Sequence, residues 1–219
     1  MGAVSCSSKL RVGVLISGRG TDLQSIIDAS EAGEINAEVV VVISNDPNAY
    51  GLERAKKHNI PAIAISHRGL KREEHERKIA EVLHKYNVEL IVLAGYIRVL
   101  TAWFINEFRN KIINIHPALL PLFGGMGMWG ERVHRAVLES GMKVSGCTVH
   151  VVTEVPDGGP IIAQRAVPVE EDDTEETLAA RVLREEHKLL PYVVGLFADN
   201  RVKIEEKNAR ILPQTSKGS

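Results

Sequence analysis

Asn114-Ile115-His116-Pro117 closes a short β-branched run, and its two polar residues stand two apart. On a strand, that spacing puts Asn114 and His116 on one face and Ile115 on the other. An amide brings a neutral N–H donor, and an imidazole donates when charged and accepts when neutral. Together they suit a carbonyl under attack, whose oxygen gathers negative charge. Asp157 sits in Pro156-Asp157-Gly158-Gly159-Pro160, a rigid turn able to aim a carboxylate back at the strand end. Beside the imidazole, that carboxylate would raise the ring's pKa and fix its orientation. The competing reading is an ordinary turn histidine and an ordinary turn aspartate.

A second group, Ser17-Gly18-Arg19-Gly20-Thr21-Asp22, lies where a first strand hands over to a first helix. The free N–H groups and positive dipole end of that helix favour an anion. A phosphate there would be held by main-chain amides and by the Ser17 or Thr21 hydroxyl. No Gly-Lys-Ser/Thr follows, and Leu23 stands where a dinucleotide fingerprint needs its third glycine, so a phosphate monoester fits better. Similar glycine turns also close strand–helix units that bind nothing. A nucleophile triad finds no support: there is no Gly-x-Ser-x-Gly elbow, and Cys147 falls inside an apolar strand pattern. His116, His134 and His150 lack metal-ligand spacing.

The elements that must position these groups alternate. Strands are expected at Leu10–Ile16, Glu38–Ile43, Ala62–Ile65, Glu89–Ala94 and Lys111–Ile115. Helices are expected over 21–33, 51–59, 72–86 and 101–108. Continuous apolar strands between amphipathic helices predict a parallel sheet covered on both faces, with ligands at its carboxyl edge. Beyond Ile115 comes a Gly- and Pro-rich loop over 117–130 and a helix near 131–140. An antiparallel pair over 146–152 and 160–168 follows, then a long helix over 172–200 that Pro191 should bend or divide, and a small terminal hairpin. The expected fold is α/β: one Rossmann-like domain over 10–212, with antiparallel additions in its C-terminal half. A functional seam near 115 divides it into halves of about 10–115 and 116–212, and 1–9 and 213–219 are tails.

Composition narrows the partners. With 27 Lys+Arg against 28 Asp+Glu in 219 residues, no basic excess exists to collect a nucleic-acid backbone. The longest apolar runs are too short to span a bilayer, and residues 1–10 lack the apolar stretch of a secretory signal. Gly2 makes only a weak match to an acylation pattern and is discounted. Cys6 and Cys147 form neither a disulfide framework nor a zinc spacing. A cytoplasmic protein handling small molecules, as monomer or homodimer, is expected.

Taken together, Ser17–Gln24, Leu93–Leu100, Asn114–Pro121 and Asp157–Pro160 resemble the folate-dependent phosphoribosylglycinamide formyltransferases of purine biosynthesis. The resemblance covers nearly the whole chain, from about Leu10 to Leu212. It implies transfer of the formyl group of 10-formyltetrahydrofolate to the amine of glycinamide ribonucleotide, with no metal or redox cofactor. By the same resemblance Asn114 and His116 stabilise the developing oxyanion, and Asp157 orients the imidazole and helps move the amine proton. Gly20, Thr21 and Asp22 match the segment holding the ribose phosphate, Glu186 a ribose-contacting acid, and Arg72 falls near a basic position of the cleft. Ile97, Arg98, Val99 and Asn114, with Val152, Thr153, Glu154, Val155 and Pro156, match the folate pocket.

Departures from the family pattern are expected to matter. Thr21-Asp22 replaces a common Ser-Asn, Ala118 a usual serine, and Leu183 a polar or basic residue. Leu122–Arg132 is a longer Gly- and Met-rich loop whose Met126, Met128 and Trp129 either cover the folate, cap a partner surface, or simply pack. Three rivals remain. A transfer-RNA formyltransferase would add a C-terminal nucleic-acid domain, absent from this sequence. A formyltetrahydrofolate hydrolase would use the same trio with water and need no phosphate loop. A non-catalytic nucleotide-binding module would need no trio.

Overall fold

The structure, a computed structural model, describes residues 8–214. Gly2, Cys6 and most of the two expected tails lie outside the described residues. Strands β1 (Leu10–Ile16), β2 (Ala37–Ser44), β3 (Ala62–Ala64), β4 (Leu90–Leu93) and β5 (Ile112–His116) alternate with helices α1 (Thr21–Glu31), α2 (Tyr50–Lys57), α3 (Arg72–Lys85) and α4 (Ala102–Glu107). There follow α5 (Glu131–Glu139), β6 (Val144–Val151), β7 (Ile161–Pro168), α6 (Glu175–Ala198), β8 (Val202–Ile204) and β9 (Ala209–Ile211).

The main sheet has seven strands in the order β3-β2-β1-β4-β5-β6-β7, and β8 and β9 form a separate hairpin. Strands β1 to β5 pair in parallel, while β6 runs antiparallel to β5 and β7 antiparallel to β6. This is a mostly parallel α/β sheet, and strand order turns outward in both directions from β1 and β4. Ligand crevices of open sheets form at the carboxyl ends of such a pair.

The apolar strands feed two cores because their side chains alternate across the sheet. Val12, Val14, Ile16, Ile113, Ile115, Cys147, Val149 and Val151 pack with α1 and α6 through Ile26, Ile27, Val182, Leu190 and Val193. On the other face Leu15, Ile43, Ile91 and Ile112 pack with Ile79 and Leu83 of α3 and Phe104 of α4. Thr148 and His150 therefore alternate away from the α6 core, onto the face that carries Asn114.

The division expected at Pro191 does not occur: α6 continues unbroken through it. A proline inside a helix forfeits one backbone hydrogen bond, at a cost of roughly 3 kcal/mol. Leu189, Leu190, Val193 and Val194 surround it, all within 1% of full burial. Burying such side chains yields roughly 1.5–3 kcal/mol each, which outweighs that loss. The start of α6 is set by Thr174, whose hydroxyl accepts from the Thr177 N–H. Among the described residues no helix is long and apolar enough to cross a membrane.

Candidate active site

A cavity of about 880 Å³ opens where β1, β4 and β5 end, and Asn114, His116, His150 and Asp157 line it together. The antiparallel turn of the sheet creates this grouping. Asn114 faces His150 across the β5–β6 ladder, and His116 faces Thr148. The rigid turn after β6 then brings Asp157 between the two imidazoles. Its Oδ2 lies 3.7 Å from His116 Nδ1, and its Oδ1 3.5 Å from His150 Nε2.

His116 is buried, and its Nε2 lies 2.8 Å from the Phe123 carbonyl, to which it donates. Burial pushes its pKa below the ordinary 6.5, against the opposing pull of the Asp157 carboxylate. At neutral pH the ring is therefore uncharged and can accept a proton. Burial opposes ionisation of Asp157. The His150 ring, the positive charge His116 carries when protonated, and the Gly125 amide at 2.9 Å outweigh that burial and hold Asp157 below its usual range. A neutral imidazole and an ionised carboxylate side by side can take up a proton in passing and hold the resulting charge.

Asp157 has a φ of 53°, a left-handed geometry that Asp and Asn tolerate better than most residues. The turn is locked further on, since a Cβ on Gly159 would stand 1.8 Å from the Val151 carbonyl oxygen. Gly159→Ala is expected to cost about 3 kcal/mol of stability. It should also displace Asp157, so activity should fall further than the loss of folded protein explains. Urea unfolding beside an activity assay at a temperature where the variant stays folded checks this.

Thr148 pins the segment after His116. Its hydroxyl donates to the Ala118 carbonyl at 2.6 Å and accepts from the Leu120 N–H at 3.1 Å and from Gln164 Nε2 at 2.9 Å. A serine hydroxyl is missing at Ala118, but that residue is fully buried, and its backbone is what the site holds. The following Gly- and Met-rich loop forms a wall: Gly125 to Glu131 line the cavity. Met126 and Trp129 are exposed, with Arg132 stacked 5.0 Å over the indole.

The glycine loop delivers the N-terminus of α1 to the same cavity. Gly20 caps α1 with a φ of 69°, and no side chain caps the helix, so its first N–H groups stay available. Gly20 and Gly51 meet backbone to backbone: a Cβ on Gly20 would lie 2.8 Å from Gly51 Cα. The Ser17 hydroxyl, expected as a phosphate donor, is spent elsewhere. It donates to Asn45 Oδ1 at 2.5 Å and accepts from the Ile97 N–H at 3.1 Å, tying the ends of β1 and β2 to the turn after β4. That leaves the α1 amides and Thr21.

Asp22 and Glu186 form a buried carboxylate pair in the cavity wall. Burial raises Asp22 to about 6. Glu186 is raised well above its usual value by burial and then by the Asp22 charge. Asp22 Oδ1 has no hydrogen-bond partner, and His187 Nε2 approaches it only to 3.7 Å. Because the folded-state value of Asp22 exceeds the ordinary 3.8, its ionisation opposes folding. The penalty is absent below about pH 4 and grows as pH rises through about 6. Asp22→Asn should therefore stabilise the protein by up to about 3 kcal/mol near pH 7.5 and by little at pH 4. Urea unfolding at the two pH values measures it.

Of the other expected residues, Ile97, Arg98, Val99, Val152, Thr153, Val155, Pro156 and Leu183 line the cavity. Ile97 and Val99 are exposed to it rather than packed in the core. A buried carboxylate sets their turn: Glu76 accepts from the Thr101 N–H at 2.9 Å and from its hydroxyl. Gly20 is buried at the mouth of α1, and Thr21 faces a neighbouring groove between α1 and α6. Glu154 and Arg72 are exposed and outside the cavity lining. His150 and His134, which sequence reasoning used only to argue against a metal, both line the cavity and are buried. The face of His150 was legible, since Thr148 and His150 are the polar alternates of a strand whose Cys147, Val149 and Val151 are core, but its partner across the ladder was not. Among the described residues no cluster is arranged to hold a metal ion.

The formyl transferase family matches residues 10–194. The chain is 39% identical to the phosphoribosylglycinamide formyltransferase of Escherichia coli K12, over 91% of this chain and 92% of that protein. It is 40% identical to the chloroplastic phosphoribosylglycinamide formyltransferase of Arabidopsis thaliana, over 92% of this chain and 70% of that one. It also matches trifunctional purine biosynthetic proteins, spanning 20% of that of Gallus gallus at 42% identity. Among solved structures, glycinamide ribonucleotide transformylase 1 from Symbiobacterium toebii aligns with a TM-score of 0.91 and 45% identity, over 97% of this chain and 99% of that one.

Proposed function

We propose, from the premise that this chain belongs to the formyl transferase family, that it carries the formyl group of 10-formyltetrahydrofolate to the amine of glycinamide ribonucleotide. The products are formylglycinamide ribonucleotide and tetrahydrofolate, a step of purine biosynthesis. The observation that carries the reading is the convergence of Asn114, His116 and Asp157 in a cavity that also reaches Asp22 of α1. The near full-length similarity to the Escherichia coli enzyme supports the choice of acceptor.

The amine nitrogen attacks the formyl carbon and a C–N bond forms, while the carbonyl electron pair moves onto oxygen. Asn114 donates to that oxygen, and the loss of one such donor typically costs roughly 2.7–4 kcal/mol in the transition state. His116, uncharged before reaction, takes the proton that the amine sheds, directly or through one water. Asp157 holds the imidazolium that results. The bond from the formyl carbon to the folate nitrogen then breaks, and His116 returns the proton to that nitrogen. The carbon stays at one oxidation level throughout, so no electron carrier enters.

The half over 10–115 holds the acceptor and the half over 116–212 the folate. The α1 amides at Gly20, Thr21 and Asp22 bind the ribose phosphate, and Glu186 accepts from the ribose hydroxyls. Ile97, Arg98, Val99 and the 152–156 segment wall the folate rings. Arg72, the basic residue expected near the cleft, is exposed on α3 and outside the cavity lining. The enzyme works on small molecules, and a cytoplasmic location suits them.

The test is to mix the protein with 10-formyltetrahydrofolate, with and without glycinamide ribonucleotide, and follow the folate products and the acceptor's mass. Turnover only with acceptor, with a formyl group gained by it, is the expected result. Deformylation without acceptor would make the protein a hydrolase, and no turnover in either mixture a binding module.

A further inference from the structure

We propose that His150 is a positioning residue that fixes the side-chain amide of Asn114 with its N–H groups toward the reacting oxygen; the inference rests on the transferase reading above. Asn114 Nδ2 lies 3.2 Å from His150 Nε2. An amide can present either its NH₂ or its oxygen to a given side, and only the NH₂ serves an oxyanion. Something must choose, and His150 is built to do so. The ring is buried, and its Nδ1 lies 3.0 Å from the Val151 carbonyl. A carbonyl only accepts, so Nδ1 carries the hydrogen, and in the neutral ring Nε2 is left with a lone pair. That lone pair accepts one amide hydrogen of Asn114, and the second hydrogen remains for the substrate.

The surrounding groups fit this division. Asp157 Oδ1 lies 3.5 Å from the same Nε2, but its partner oxygen holds the Gly125 amide and faces His116. With His150 neutral, the carboxylate is left to His116, and each imidazole has a separate duty. A charged His150 would turn an N–H toward Asp157 and set Asn114 donor against donor. The amide would then flip, and its oxygen would confront the developing oxyanion. Register enforces the juxtaposition, because Asn114 and His150 are direct partners across the β5–β6 ladder. Their side chains sit on one face at close cross-strand distance.

Two measurements decide it. In ¹⁵N-labelled unliganded wild type, a scalar coupling across the hydrogen bond should join Asn114 Nδ2 to His150 Nε2. Its absence, with the ring protonated at Nε2, overturns the inference. In single-turnover kinetics His150→Leu should slow formyl transfer roughly 100-fold, with KM for both substrates changed little, because an oxyanion donor is lost. His150→Gln, whose Oε1 can accept at the Nε2 position, should stay within about tenfold of wild type. On an Asn114→Ala background, His150→Leu should cost less than about threefold more, since positioning acts only through the amide. Full additivity in the double variant, or Gln as damaging as Leu, overturns the assignment. If His150→Leu does not fold, the wild-type coupling still decides. A wild type without transfer would remove the transferase reading and leave the coupling to settle His150 separately.

Discussion

His116→Ala is expected to lower formyl transfer by roughly a thousandfold or more, within the span of general acid–base and oxyanion contributions. The effect should fall on kcat. The ring is 4% exposed and spends one nitrogen on the Phe123 carbonyl, so its other nitrogen is the only one placed to work with Asp157. Truncation leaves a buried hole and an unmet carbonyl, at a cost of about 1–3 kcal/mol in stability. It should leave binding of glycinamide ribonucleotide near wild type, because the α1 amides proposed to receive the phosphate do not touch His116. Rapid-quench turnover beside calorimetric titration of the acceptor separates the two. A variant with near wild-type kcat would remove His116 from the mechanism.

Asp157→Asn should be nearly as damaging, roughly a hundredfold to a thousandfold in kcat/KM, with almost no structural cost. Asn tolerates the positive φ at this position, and its carbonyl oxygen can still accept from Gly125. What disappears is the charge. The carboxylate is the main influence raising the His116 pKa against burial. Without it, the imidazolium formed during transfer loses its counter-charge and the free-enzyme pKa falls further. The sign follows: the acid limb of kcat/KM should move to lower pH in the variant, while the plateau drops. A limb that moves to higher pH, or stays put with an unchanged plateau, would show that Asp157 does not act on His116.

The layered architecture was legible because apolar strands and helical stripes state their periods directly. The trio was legible because Asn114 and His116 stand two apart at a strand end and Asp157 in a glycine turn. Three things were hidden, each for a physical reason. Pro191 reads as a helix breaker locally, but packing between α1 and α6 overrides a local preference. The Ser17 hydroxyl reads as a phosphate ligand, but its real partners lie 28 and 80 positions away. His150 becomes a neighbour of Asn114 only through the register of an antiparallel pair, which no local pattern encodes.

That pairing also bears on how the protein fails under stress. Asn114, His116, Thr148 and His150 sit on adjacent interior strands of the main sheet. Their backbone amides should exchange with solvent only when the whole domain opens. The Gly125–Glu131 wall hangs on loop contacts and should open at far smaller free energy. On warming, affinity for substrates should therefore decay before β5 and β6 lose their order, and cooling should restore activity without refolding.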